Sequence, residues 1–145
     1  MTMTLNSDWL KAASIFRQAI IDANGGGYIG FTEFPMGSCG DASILLGEYL
    51  HEQGHGEWTY VSGVREGQQF QSHAWLERDG WLLDITADQF DEISESVWLT
   101  QDRSWHEQFL YAPEDELAAR LHVWDEHTRR ELSGVYAKIM ASIRT

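Results

Sequence analysis

A single cysteine stands where a helix is predicted to begin, and its neighbours suit a nucleophile. Cys39 lies in the run Gly37-Ser38-Cys39-Gly40-Asp41, just before a segment with helical periodicity. Free amides and the helix dipole at such a position stabilise an anion and favour the thiolate. The same amides can hold the oxyanion that forms when a thiolate attacks a carbonyl group. Taken by itself, a lone cysteine is more often a small buried apolar residue.

A histidine and an aspartate fall on neighbouring strands of a predicted hairpin. The turn signal Asp79-Gly80 predicts a two-residue turn, which makes His73 and Asp84 diagonal neighbours on one face. A turn placed one residue earlier pairs them directly, whereas a three-residue loop would move one of them to the other face. The predicted face of His73 also carries Trp75, Leu82, Asp84 and Thr86, and the other face carries Ala74, Leu76, Leu83 and Ile85.

Together these three side chains meet the requirements of a nucleophile, a base and an orienting acid. A carboxylate beside an imidazole fixes its tautomer and stabilises its protonated form. The imidazole can then take the proton of a thiol and give it to a leaving group. We therefore expect Cys39 to be the nucleophile, His73 the general base and acid, and Asp84 the orienting group. The alternative is a His–Asp hydrogen bond that only supports the sheet.

The elements that must position these residues follow from the spacing of apolar side chains. Helical spacing predicts three helices, over Asp8–Asn24, from Ser38 or Cys39 to Gln53, and over Pro113–Ile143. Alternation predicts extended segments over Tyr28–Phe34, Trp58–Val64, Gln69–Glu77, Trp81–Thr86 and Val97–Leu99. The first helix is expected to be capped by Ser7 or Asp8. This order predicts an α+β fold, in which an antiparallel sheet of at least three strands packs against helices.

Composition and charge narrow the classes of function. A chain of 145 residues, 43% hydrophobic and 23% charged, predicts a single globular domain over residues 1–145. Its formal net charge of −13 repels phosphate backbones and anionic membranes, so we expect neither nucleic acid nor a membrane as partner. The single cysteine excludes an internal disulfide framework and a Cys-rich zinc site. The N-terminal residues do not read as a signal peptide, which predicts a cytoplasmic protein.

Three stretches between Phe34 and Phe90 resemble the transglutaminase-like superfamily, which lies within the papain-like fold class. They are Gly37-Ser38-Cys39-Gly40-Asp41-Ala42-Ser43, Ser72-His73-Ala74-Trp75-Leu76-Glu77 and Leu83-Asp84-Ile85-Thr86-Ala87-Asp88-Gln89-Phe90. The resemblance implies the same roles for Cys39, His73 and Asp84, with the cysteine at a helix N-terminus. It also implies an amide substrate in a peptide or protein, with cleavage, deamidation, cross-linking or acyl transfer as the reaction. No cofactor is expected.

The oxyanion site and the substrate contacts are less well defined by the sequence. Papain-like proteases keep a glutamine oxyanion donor a few residues before the cysteine, and no such glutamine precedes Cys39. The backbone amide of Cys39 is the expected first donor, and the second is unassigned. Gly40, Trp75 and Gln89 are the candidates for substrate contact. Trp75 is equally typical of a core residue, and Gln89 of a side chain bonded to loop backbone.

Two alternatives belong to other classes of function. His51-Glu52-Gln53-Gly54-His55 matches the H-E-x-x-H pattern of zinc hydrolases. However, no third ligand follows at a plausible distance, and a strand beginning at Trp58 places His55 beyond the helix. The second alternative is a non-catalytic binding or regulatory module on the same fold. Three further histidines have no partner at ligand spacing and are expected to be solvated or in the core, namely His106, His122 and His127.

Overall fold

The computed structural model describes residues 2–67, 71–111 and 116–144, and it has an α+β architecture. The three helices of this part are α1 (Thr2–Asp22), α2 (Cys39–Glu52) and α3 (Glu126–Arg144). The five strands are β1 (Thr59–Arg65), β2 (Gln71–Arg78), β3 (Trp81–Asp84), β4 (Trp98–Thr100) and β5 (Leu117–Ala118). They form one antiparallel sheet in the order β4-β3-β2-β1-β5. The predicted packing of helices and an antiparallel sheet is confirmed.

The hairpin of β2 and β3 has the predicted turn. Asp79 and Gly80 both have positive φ, 50° and 82°, which matches the twist of a two-residue turn between antiparallel strands. Arg78 pairs with Trp81 on either side of it. Because β3 ends at Asp84 while β2 begins seven residues before Arg78, the first residues of β2 pair with β1 alone.

The two faces of the sheet are buried in different ways. The face that carries Leu76, Leu83 and Ile85 packs under the helices in the larger core, as alternation predicts. The opposite face forms a smaller core, which is closed by irregular chain before and after β4 rather than by an α-helix. Its buried members are Val61, Trp75, Leu82, Phe90 and Phe109. The predicted His–Asp pair therefore lies among aromatic rings.

The N-terminal region differs from the prediction in two places. α1 begins at Thr2 instead of Asp8, so Ser7 and Asp8 lie inside the helix and cap nothing. The predicted extended segment over Tyr28–Phe34 is instead tightly turned, with a 3-10 helix over Ile29–Phe31. Aromatic rings three residues apart explain the turn, because Phe31 packs 5.2 Å from Tyr28 and 5.9 Å from Phe34. Such contacts need an i, i+3 geometry that a strand does not provide.

The last helix is shorter than predicted, because α3 begins at Glu126. The backbone N–H of Thr128 donates to the carboxylate of Asp125 at 2.9 Å, which is the hydrogen bond of a helix cap. Before it, Leu117 and Ala118 pair with β1 instead of continuing a helix. The predicted start at Pro113, and the predicted strand start at Gln69, lie outside the described residues. Within the described part, no helix has the length and apolar character needed to cross a membrane.

Candidate functional site

Cys39 is the first residue of α2, and the helix start is left without a side-chain cap. Ser38 occupies the capping position, yet its hydroxyl donates to the carbonyl oxygens of Gly30, at 3.1 Å, and Met36, at 3.2 Å. The first N–H groups of a helix have no acceptor within the helix. They therefore remain available to stabilise an anion next to Cys39, whose side chain is partly exposed.

His73 and Asp84 form the contact that the hairpin register predicts. Nε2 of His73 lies 2.6 Å from Oδ2 of Asp84, and both side chains are almost completely buried. The other carboxylate oxygen, Oδ1, accepts the backbone N–H of Thr86 at 3.0 Å. Asp84 is the last residue of β3, so the chain turns back directly after it and supplies that amide. The orientation of the carboxylate is thus fixed on both of its oxygens.

A second imidazole binds the same carboxylate, and the sequence did not reveal it. Nε2 of His106 lies 2.8 Å from Oδ2 of Asp84, and His106 is buried to the same extent as its partner. Burial opposes the negative charge, but the charge of His73 and hydrogen bonds from His106 and His73 hold the pKa of Asp84 far below its usual range. His106 lies in the core, which was one of the two expectations for it, but the expectation that it has no partner is wrong. No rule of spacing links it to a residue 22 positions earlier in another element.

The ring of His73 is held in its protonated form. Burial disfavours that charge, but the charge and hydrogen bond of Asp84, followed by the hydrogen bonding and charge of the Cys39 side chain, raise the pKa of His73 to about 9. Nε2 is engaged by Asp84, so Nδ1 is the ring nitrogen left for the thiol. At neutral pH the imidazole therefore carries a proton next to the cysteine, as an acyl-transfer acid requires.

The other predicted site residues lie around these three. The side-chain amide of Gln89 donates to the carbonyl oxygen of Thr86 at 3.1 Å. Its Nε2 also lies 3.4 Å from Nδ1 of His73, a contact that is not a hydrogen bond when Nδ1 carries a proton. Trp75 is fully buried, with its ring 5.8 Å from that of His73. It therefore supports the imidazole from within the core and offers no exposed surface to a substrate. Gly40 follows Cys39 in the first turn of α2.

The three buried groups around Asp84 also have the donor types of a metal centre. The ligand atoms of His73, Asp84 and His106 lie within 4.8 Å of one another. A metal-bound histidine normally donates its second ring N–H to a carboxylate, carbonyl or water. Nδ1 of His106 is buried and has no such partner among the described residues. The short contacts of both imidazoles to one oxygen therefore fit two N–H donors on a carboxylate better than they fit metal ligands.

The H-E-x-x-H pattern does not form a ligand cluster in the described part of the chain. α2 ends at Glu52, so His55 lies beyond the helix, as expected. The carbonyl oxygen of His55 accepts Nε1 of Trp58 at 3.2 Å, which fixes the turn that leads to β1. His51 is exposed, and the carboxylate of Glu52 accepts the hydroxyl of Tyr136.

Comparisons with known proteins found no matching protein-family model, curated protein or solved structure. The resemblance to the transglutaminase-like superfamily therefore remains a prediction from the motifs around Cys39, His73 and Asp84.

Proposed function

We propose that this protein is a cysteine-dependent hydrolase or acyltransferase that acts on an amide, in a peptide bond or a glutamine side chain. One arrangement carries the proposal. A partly exposed cysteine at an uncapped helix start neighbours a buried imidazole whose far nitrogen is 2.6 Å from a carboxylate. A nucleophile, a base and an orienting group in this relation are the parts of an acyl-transfer site. The superfamily resemblance favours the same chemistry.

In the proposed reaction, the Cys39 thiolate attacks the amide carbon and the carbonyl π electrons move onto the oxygen. When the carbonyl re-forms, the C–N bond breaks and His73 gives its Nδ1 proton to the departing nitrogen. An amine or ammonia leaves, and a thioester remains on Cys39. Water or an amine then attacks the thioester and gives its proton to His73, and the thiolate departs. An acid or a new amide is released.

Asp84 has an electrostatic and a geometric part in this scheme. Its charge stabilises the imidazolium form of His73, and its hydrogen bond holds the proton on Nε2, which leaves Nδ1 for the reacting groups. Because the N–H of Thr86 and the ring of His106 hold the carboxylate, His73 cannot turn away without breaking a buried hydrogen bond. No cofactor takes part in these steps.

Alkylation by iodoacetamide at pH 6 tests the proposal without a known substrate. An ordinary thiol, with a pKa near 8.5, is almost unreactive at this pH. We expect native Cys39 to be alkylated at least about tenfold faster than the same cysteine in urea-unfolded chain. The rate should fall toward the unfolded value in His73→Gln, since the imidazolium that pairs with the thiolate is lost. Peptide mapping assigns the label to Cys39.

The contrary result is equally clear. Native labelling slower than in the unfolded chain, and unchanged by His73→Gln, would favour the non-catalytic module. A stoichiometric metal ion that is lost from His106→Phe would favour a metal centre instead.

A further inference from the structure

Tyr60 brings a hydroxyl group to the first turn of α2. It lies on β1, where its ring packs edge-on against Trp124 with centroids 5.1 Å apart. A Cβ atom placed on Gly40 would be 3.2 Å from the hydroxyl oxygen of Tyr60. The hydroxyl therefore lies beside the backbone of the residue that follows the proposed nucleophile, and a Cβ atom there would push it away by a few tenths of an ångström.

The surroundings of Tyr60 keep its proton in place. Burial, followed by the charges of Cys39 and Asp41, raises the pKa of Tyr60 to about 12, and the hydrogen bond with Ser62 acts in the opposite direction. At neutral pH the phenol therefore keeps its proton and can donate it in a hydrogen bond.

The proposed reaction needs such a donor at this place. A tetrahedral intermediate concentrates negative charge on the former carbonyl oxygen, and preorganised donors aimed at that oxygen lower the barrier. The N–H groups at the start of α2 supply one side of the site, since Ser38 does not cap them. No glutamine lies a few residues before Cys39 to supply the other side.

We propose that the hydroxyl of Tyr60 is an oxyanion donor, and that the substrate carbonyl oxygen lies between this hydroxyl and the N–H groups at the start of α2. The inference rests on the proposed function and adds a catalytic residue to it. The lack of a side chain at Gly40 then leaves room for the substrate carbonyl oxygen beside these donors, because a side chain there would displace the hydroxyl of Tyr60.

Two reactions of the same thiol separate this role from activation of the nucleophile. With p-nitrophenyl acetate, the C–S bond forms and the bond to p-nitrophenolate breaks through an oxyanion. With iodoacetamide, sulfur displaces iodide from a methylene carbon and no oxyanion forms. We expect Tyr60→Phe to slow acetylation of Cys39 about tenfold or more, while alkylation at pH 6 stays within about twofold of the unchanged protein.

Two other variants guard against an indirect effect. Gly40→Ala should also slow acetylation but not alkylation, and alanine in a helix does not lower stability by itself. Tyr111→Phe removes a phenol oxygen that contacts Arg103 in the smaller core, and it should change neither rate. Thermal unfolding of each variant confirms that it is folded.

The outcomes distinguish this inference from the proposed function. If Tyr60→Phe is acetylated as fast as the unchanged protein, or if both reactions slow by the same factor, the oxyanion role of Tyr60 is wrong and the nucleophile stands. If native Cys39 reacts with neither reagent faster than it does in urea, the proposed function itself fails.

Discussion

At the scale of single residues, Asp84 connects the parts of the site. One of its oxygens accepts from two imidazoles, at 2.6 Å and 2.8 Å, and the other accepts from a backbone amide. Nδ1 of His106 is buried without a partner among the described residues, so a proton there would be an unsatisfied donor. His106 therefore holds Asp84 through its Nε2 hydrogen bond alone.

This assignment predicts the effect of replacing His106 with phenylalanine. Phenylalanine keeps a flat aromatic ring beside those of Trp98 and Trp105, which lie 5.0 Å and 4.9 Å from that of His106. The buried carboxylate loses one N–H donor, and a hydrogen bond to a charged group contributes about 1.5–3 kcal/mol. We expect the free energy of unfolding to fall by that amount, measured by urea denaturation at pH 6.

The control is the same substitution in an Asp84→Asn background. Without the carboxylate charge, His106→Phe should cost clearly less, and the difference measures the coupling between the two residues. An equal cost in both backgrounds would mean that the ring of His106 acts through packing alone.

The sequence predicted the contact of His73 with Asp84, because both lie in one hairpin whose turn fixes the register. The contact of His106 with Asp84 could not be predicted from the sequence. His106 lies in a 3-10 turn that follows an irregular segment. Neither the helical spacing of apolar residues nor the alternation of a strand relates it to β3. The proposed role of Tyr60 was not foreseen for a related reason, since strand alternation assigns a face but not which loop or helix end lies opposite.

At the scale of elements, prediction succeeded where the spacing had one interpretation. The turn between β2 and β3 is as predicted, and α2 ends one residue before the predicted Gln53. The spacing of Leu117 and Leu121 is compatible with a helix, and here the prediction was wrong. Leu117 pairs with β1, and Leu121 begins a 3-10 turn. The cap at Asp125 was the local signal that α3 begins later.

Two glycines give a matched test of how α2 is seated. A Cβ atom on Gly47 in α2 would overlap the Cβ and carbonyl oxygen of Ala119, whereas one on Gly134 in α3 would meet nothing within 4 Å. Alanine gains about 1 kcal/mol over glycine in an open helix. We expect Gly134→Ala to raise the melting temperature and Gly47→Ala to lower it. A rise in both variants would show that α2 does not pack closely on the segment before α3.

At the scale of the whole molecule, composition and the order of elements predicted a globular α+β fold but not the shape of the site. The helices cover one face of the sheet, as an α+β order implies. The other face is closed by chain without a repeating pattern, and the proposed base lies in this smaller core. A segment of that kind has no periodicity from which its course could be predicted.

The buried pair also predicts how stability depends on pH. The pKa of His73 is raised from 6.5 to about 9, so its contribution is complete below pH 6.5 and is lost as pH rises through 9. The pKa of Asp84 is lowered from 3.8, so its contribution is present above that value and is lost as pH falls. Urea unfolding should therefore show the greatest free energy of unfolding between pH 3.8 and pH 6.5. His73→Gln should remove the decline on the alkaline side, and a decline that persists unchanged would assign it to other groups.

The charge on His73 next to Cys39 is the central claim, and nitrogen-15 NMR of the imidazole measures it directly. We expect both ring nitrogens to stay protonated at neutral pH, with a midpoint near 9 that falls in Cys39→Ser. A midpoint near the ordinary value of 6.5, unchanged when the thiol is removed, would contradict a working pair of cysteine and histidine.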